Sequence, residues 1–394
     1  MATATCRPSG LSNNNTNEGT RPQSRVGCLL FKMNKSIKKT ARRIIGDPFY
    51  DYLLYSRFCY RALKELGLPT GKAEGEEEFR RRWRQFSPWV DPYIYRLQSH
   101  FCGPTPDIIP EDILHRQIEE TLNPRSYWDV YEDKTMFPCV IGADNVPATV
   151  VARVRGCGLL DADFRLLPDA AKAIVDCPFD ALILKPSVDS CNGMRVMKFH
   201  RTADGFTTSD GQRLDVPFLL AYDDNFVLQE SVEQHPFTAR LCPTAANTMR
   251  MVVYRSVVDD QPHLTSAYFR FGGPGAVVDN CHAGGRYVAV DLADGRLHDT
   301  SYDDHGFGQP FPDAGQCIPS WDRAVELSLH VARCIPHHHL FALDMVIDKN
   351  GKPMVLEYNI GGFSAHAGYF CGQTVFGPYL GEVIEWVLRK RTHR

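Results

Sequence analysis

The stretch Phe341-Ala-Leu-Asp344-Met-Val-Ile-Asp348-Lys-Asn-Gly351-Lys-Pro-Met-Val-Leu-Glu357-Tyr-Asn359 limits the fold most tightly. Two short apolar runs flank a Lys349-Asn350-Gly351 turn, the pattern of a β-hairpin. Asp344 lies on the first run, Glu357 and Asn359 on the second. Side chains alternate faces along a strand, so Glu357 and Asn359, two apart, share a face. Oxygen ligands paired across a hairpin suit Mg²⁺, which keeps several waters and is completed by nucleotide phosphates. Taken alone, the segment reads equally well as a structural hairpin with ordinary polar positions.

A second element lies upstream. Asp180-Ala-Leu-Ile-Leu-Lys185 reads as an apolar strand ending in lysine, followed by the small polar loop Ser187–Gly193 and a second strand from near Met194. Such a loop can direct backbone N–H groups at a triphosphate while a strand-borne lysine adds a point charge. It is not the G-x-x-x-x-G-K-[ST] loop, because no glycine precedes the lysine and no helix follows. Asn225–Gln229 then forms a strand that ends in the polar segment Glu230–His235, whose backbone groups suit an adenine edge. Further on, Thr248 and Arg250 share one face of the strand Asn247–Tyr254. Arg250 could hold a phosphate by a forked contact or serve as a salt-bridge partner.

In that order, a lysine-ended strand, a glycine-containing loop, an adenine-edge hinge, an Asn-Thr-Met-Arg strand, an Asp strand and a Glu-x-Asn strand resemble the ATP-grasp superfamily. The likeness runs from about Asp133 to about Trp386 and is nearest the sugar-transfer-associated and glutamate-ligase-related branches. It implies an α+β fold in which two lobes clamp ATP, preceded by a helical N-terminal region. By the same resemblance Lys185 meets the α- and β-phosphates, and Asn192-Gly193 belong to the loop over them. Gln229, Glu230 and Val232 fall at the adenine hinge, with Glu233 near the ribose. Asp344, Glu357 and Asn359 match the Mg²⁺ ligands, and Arg250 a phosphate contact. Lys134, in Glu132-Asp133-Lys134, matches a lysine that reaches the phosphates from a separate element. Asn280, with Gly284-Gly285, falls near the transferred phosphate. The loop departs from many relatives in carrying one glycine where they have several.

The implied chemistry is attack of a small-molecule carboxylate on the γ-phosphate of ATP, giving an acyl phosphate captured by an amine, thiol or hydroxyl acceptor. Lys185, Arg250 and Asn280 carry the catalytic roles in this reading. The branch associates the chain with cell-surface polysaccharide biosynthesis and a sugar-linked acceptor. Phosphoryl transfer to a non-carboxylate acceptor, or nucleotide binding without turnover, are the alternatives.

The remainder of the chain sets bounds. With 394 residues, two or three lobes are expected. A net charge of −3 gives no general reason for a nucleic-acid partner. Thirteen scattered cysteines without a C-x-x-C pair favour a reducing, cytoplasmic setting. Residues 1–25, rich in Asn, Thr, Ser, Gly and Pro, read as a disordered tail, and Met33 opens a more plausible beginning. Residues 26–130 read as the helical region and 131–394 as the nucleotide module. Within the former, Lys35–Gly46 forms a short basic helix, either solvated or weakly attached to an anionic membrane surface. Asp51–Leu66 is an aromatic-rich helix, and Gly75–Arg84 a helix with acids before bases. Five prolines between Pro88 and Pro110 predict an irregular connection. His366 reads either as a base toward an incoming amine or as an ordinary loop histidine.

Overall fold

The chain builds two antiparallel sheets from twelve strands that follow the apolar runs just described. The computed structural model describes residues 46–188, 195–273, 275, 276, 279 and 284–392. The tail 1–25 and the basic stretch Lys35–Gly46, Gly46 excepted, lie outside them.

The helical region comes first, with α1 (Asp47–Glu65), α2 (Glu76–Trp83) and α3 (Pro92–Cys102). Here the structure corrects the expected irregular connection. Pro92 sits in the first turn of α3, where a missing N–H costs nothing, and the Asp91 carboxylate accepts from Tyr93 N to cap that turn. Proline therefore starts this helix. A second helical run follows, α-helical over Glu111–Ile113, π-helical over Leu114–Glu119 and α-helical again over Glu120–Leu122.

The smaller sheet comprises β1 (Thr149–Arg153), β2 (Ala181–Pro186), β3 (Met197–Thr202), β4 (Gly205–Thr207) and β5 (Phe226–Glu230), in the order β1-β5-β2-β3-β4. Helices α4 (Ala170–Asp176) and α5 (Val216–Tyr222) supply Ile174 and Leu219 to its core beside Leu182, Leu184, Phe199 and Leu228. Alternation in β2 buries Leu182, Leu184 and Pro186, so Lys185 faces away from that core.

The larger sheet has β6 (Thr248–Arg255), β7 (Pro262–Phe271), β8 (Arg286–Val290), β9 (Leu297–Tyr302), β10 (Gly308–Pro310), β11 (Leu340–Ile347) and β12 (Pro353–Asn359), ordered β10-β9-β8-β7-β6-β11-β12. β11 is buried along its whole length because both faces are covered. On one side α6 (Trp321–Cys334) packs against Met251, Leu343 and Met345. On the other, Val252, Tyr254 and Ala342 meet Trp83, Tyr95, Ile113 and Ile118 of the helical region, with Tyr369 of α7 (His366–Phe370) and Val383 of α8 (Leu380–Thr392). The N-terminal helices thus share a core with the larger sheet. Each fully buried large apolar side chain contributes about 1.5–3 kcal/mol to that packing. The β11–β12 hairpin turns at Gly351, whose φ of 80° suits a residue without Cβ.

Candidate nucleotide cleft

Lys185 and Lys134 reach neighbouring residues of β12 from two directions. From β2, Lys185 Nζ donates to Leu356 O of β12 at 3.3 Å across the seam between the sheets. Burial, reinforced by the charge of Lys134, lowers the Lys185 ammonium to about 8, and Glu357 opposes the shift. Lys134 occupies a turn capped by Asp133, which accepts from Thr135 N and Oγ1. Its Nζ lies 2.8 Å from Glu357 Oε1, and its own N–H donates to Ser187 O, just beyond β2. Glu357 is about a third exposed, so the seam opens toward solvent at this carboxylate.

Beside it stands a row of charge across the sheet. Asp344 of β11 is in register with Glu357 on one side and with Arg250 of β6 on the other. Residues directly opposite share a face, so all three project together. Arg250 donates a fork to Asp344, Nε to Oδ1 at 2.5 Å and Nη2 to Oδ2 at 3.0 Å. Arg270 of β7 adds a contact of 3.3 Å to Asp344 while donating to Asp279 at 2.9 Å. Burial would raise the Asp344 carboxyl, but Arg250 and Arg270 hold it below the usual carboxylate range. Burial likewise works against charge on Arg250 and Arg270, and their carboxylate partners more than offset it. Asn359, two residues past Glu357, donates Nδ2 to Ala342 O at 3.2 Å. Arg250 therefore has its fork on Asp344. Asp279 also accepts from Thr248 N and Oγ1, which ties β6 to the row.

The segment after β5 crosses from one sheet to the other. Gln229 is buried and donates to Pro147 O at 3.3 Å. Glu230 pairs with Ala148 through its backbone N–H and its carboxylate. Glu233 accepts from Lys349 N at 2.8 Å, with its carboxylate 2.7 Å from Lys349 Nζ, and His235 N donates to Ile347 O. The hinge is thereby pinned to the β11–β12 hairpin. Between these anchors the Val232 backbone has no hydrogen-bond partner among the described residues.

Of the residues singled out from sequence, Lys134, Lys185, Arg250, Asp344 and Glu357 converge, and Asn359 adjoins them. Asn192, Gly193 and Asn280 lie outside the described residues. Arg270 and Asp279 were not anticipated. Alternation along Tyr268-Phe269-Arg270 puts Arg270 on the Tyr268 face, and only the register Arg250↔Tyr268 reveals that this face is that of Arg250. Among the described residues no three His, Cys, Asp or Glu side chains group as a ready metal site.

A row of cations and carboxylates thus stands between a small antiparallel sheet and the end of a larger one. Residues 114–366, nearly two thirds of the chain, match the sugar-transfer associated ATP-grasp family, and the protein belongs to it. No curated relative matches the chain. Among solved structures it is similar to an N5-carboxyaminoimidazole ribonucleotide synthetase in its ADP complex, at 13% identity over 65% of this chain and 52% of that one, TM-score 0.39. It is also similar to the VanG D-Ala:D-Ser ligase from Enterococcus faecalis, at 12% identity over 66% and 61%, TM-score 0.40. For the L-amino acid ligase from Bacillus licheniformis the values are 11%, 80% and 61%, with a TM-score of 0.34. The chain spans about half the length of the N5-carboxyaminoimidazole ribonucleotide synthetases it matches.

Proposed function

We propose that the seam binds ATP and that the protein is an ATP-dependent carboxylate ligase. The carrying observation is that Lys134 and Lys185, from separate elements, both reach β12, Lys134 at Glu357 and Lys185 at the neighbouring Leu356 O, beside the Arg250–Asp344–Arg270 row. Lys185 in particular is a half-buried cation that donates to a carbonyl and has no carboxylate in ion-pair contact among the described residues, so a triphosphate would supply missing countercharge. The open Val232 backbone suits an adenine edge. Lys185 and Lys134 hold the phosphates from the two sides, and Arg250 with Arg270 stabilises charge on the transferring phosphoryl group. Asn192, Gly193 and Asn280 are proposed to contact the phosphates.

The donor set is compatible with Mg²⁺. Asp344 and Glu357 offer hard oxygens opposite one another in register, with Asn359 next on the same face, although Arg250 and Lys134 already engage the two carboxylates. These three residues would hold the ion, which would neutralise phosphate charge when bound. The substrate carboxylate then takes the γ-phosphoryl group, and an amine, thiol or hydroxyl displaces phosphate from the acyl phosphate. The family description favours a sugar-linked acceptor and a role in polysaccharide biosynthesis. We place the nucleotide module at residues 131–394, with 26–130 as its helical cover. We infer a reducing, cytoplasmic setting from the thirteen scattered cysteines without a C-x-x-C pair. Among the described residues no helix is long and apolar enough to cross a membrane. Lysines and arginines without acids across Lys35–Gly46 support weak contact with an anionic membrane surface.

The test is ADP release from MgATP across a panel of amino acids and uronic acids. Release that requires a carboxylate supports the ligase, whereas release with hydroxyl acceptors alone supports a phosphotransferase. Glu357→Gln should lower release by about a hundredfold or more with the fold retained by circular dichroism. Wild-type turnover in that variant would remove Glu357 from the site.

A further inference from the structure

After Asn359 the chain leaves β12 and runs without regular structure to α7, so its backbone groups have no strand ladder to join. Many are met instead by one upstream segment. Asn123, fully buried, donates Nδ2 to Ile360 O and to Leu340 O, and its Oδ1 accepts from His339 N and Leu340 N. The Trp128 ring covers Gly361 so closely that any side chain there would run into it. Gly362 N donates to Glu119 Oε2 at 3.0 Å. Ala365 N and Ser364 Oγ donate to Glu111 Oε1 at 2.9 and 3.1 Å. The chain order is antiparallel, with Lys134 on Glu357 at one end and Glu111 on Ala365 at the other.

Between the two glutamates lies His115, Nε2 at 2.6 Å from Glu111 and Nδ1 at 2.8 Å from Glu119. Burial works against charge on this imidazole, but the two carboxylates outweigh it and lift it to about 10. Both glutamates are about 1% exposed. Their run is interrupted by a π-helical stretch, an irregularity that recurs where side chains are placed for function. Next to it, Gln98 Nε2 and His366 Nδ1 are 2.6 Å apart. Glu119 Oε1, Gln98 Oε1 and His366 Nε2 are buried without hydrogen-bond partners among the described residues. A buried ion-pair cluster with open atoms is a poor way to gain stability, since apolar packing of the same volume does as well or better. Its distinguishing property is that it fixes one backbone path.

We propose that Glu119, with Glu111 and His115, is a positioning clamp for the segment 360–365, holding the backbone beyond Asn359 in the orientation that the acceptor requires. For its enzymatic consequence this rests on the ligase reading; the clamp itself does not. These residues touch neither nucleotide nor substrate. They act through the segment they grip.

The experiment uses the full chain with Glu119→Gln, which keeps shape and removes charge. Amide hydrogen exchange at 360–365 should rise about tenfold, and His115 should titrate markedly lower by NMR, because one of its two carboxylates is gone. Affinity for a non-hydrolysable ATP analogue should stay within about twofold, while ADP release with the carboxylate panel falls about tenfold. Unchanged exchange at 360–365 would overturn the clamp. Equal losses in analogue affinity and ADP release would overturn it too, as they would mark a general structural role. If Glu119→Gln does not fold, Glu111→Gln poses the same question at Ser364 and Ala365. Wild-type protein that binds no analogue would sink the nucleotide reading, and exchange and titration would still decide the clamp.

Discussion

At the seam between the sheets Lys134, Lys185, Arg250 and Arg270 gather beside Asp344, Glu357 and Asp279, while against the segment 360–365 Glu111 and Glu119 enclose His115. Both groups gather charge against the larger sheet, yet they are balanced differently. In the seam, Lys134, Arg250 and Arg270 pair with Glu357, Asp344 and Asp279, one of these carboxylates is about a third exposed, and Lys185 rests on a carbonyl. In the clamp, one imidazolium lies between two carboxylates that are almost wholly buried and also accept backbone N–H groups. A cation held only by a carbonyl, near a carboxylate open to solvent, is one that an incoming polyanion can engage. A cluster whose carboxylates are committed to the backbone holds the chain instead. The difference separates a binding site from the scaffold that aims it.

The largest effect is expected where the seam's balance is removed altogether. Asp344→Ala would leave Arg250 and Arg270 buried without their shared carboxylate, at a cost of about 3–5 kcal/mol in denaturant unfolding. A loss below about 1 kcal/mol would mean that the row is solvated and weakly coupled.

A smaller effect follows from Lys185. Its folded ammonium is lowered to about 8 from an ordinary value near 10.5, so the charged form is penalised below pH 8 and stability is gained as pH rises from there toward 10.5. A triphosphate would favour the charged form. Nucleotide binding should therefore take up a fraction of a proton near pH 8.5 and almost none at pH 7, and affinity should fall as pH rises above 8. Calorimetry in buffers of different ionisation enthalpy reads the uptake. Equal, negligible uptake at both pH values would place the phosphates away from Lys185.

Most of the seam was legible because it rests on strand alternation and the order of motifs. The hairpin carried Asp344, Glu357 and Asn359, and the lysine ending a strand carried Lys185. The ATP-grasp class followed from that order, and the family match bears it out. Arg270 was hidden because cross-strand register is a tertiary property. The helical region was misjudged where prolines looked like breakers, since Pro92 with its Asp91 cap opens a helix. The clamp was invisible for a related reason. Glu111, His115 and Glu119 recur at a spacing of four, as many solvated helix faces do, and only the fold brings Gly362 and Ala365 against them.

The central claim is that two lysines from different elements hold one triphosphate, and calorimetric titration of Lys134→Met and Lys185→Met with a non-hydrolysable ATP analogue tests it most directly. Each variant should lose about tenfold or more in affinity, because a lysine–phosphate contact in a partly desolvated cleft is charge-assisted. Lys→Arg at either position should fail as well, since a guanidinium fork is larger and differently directed than an ammonium. Wild-type affinity in both Met variants would contradict the claim.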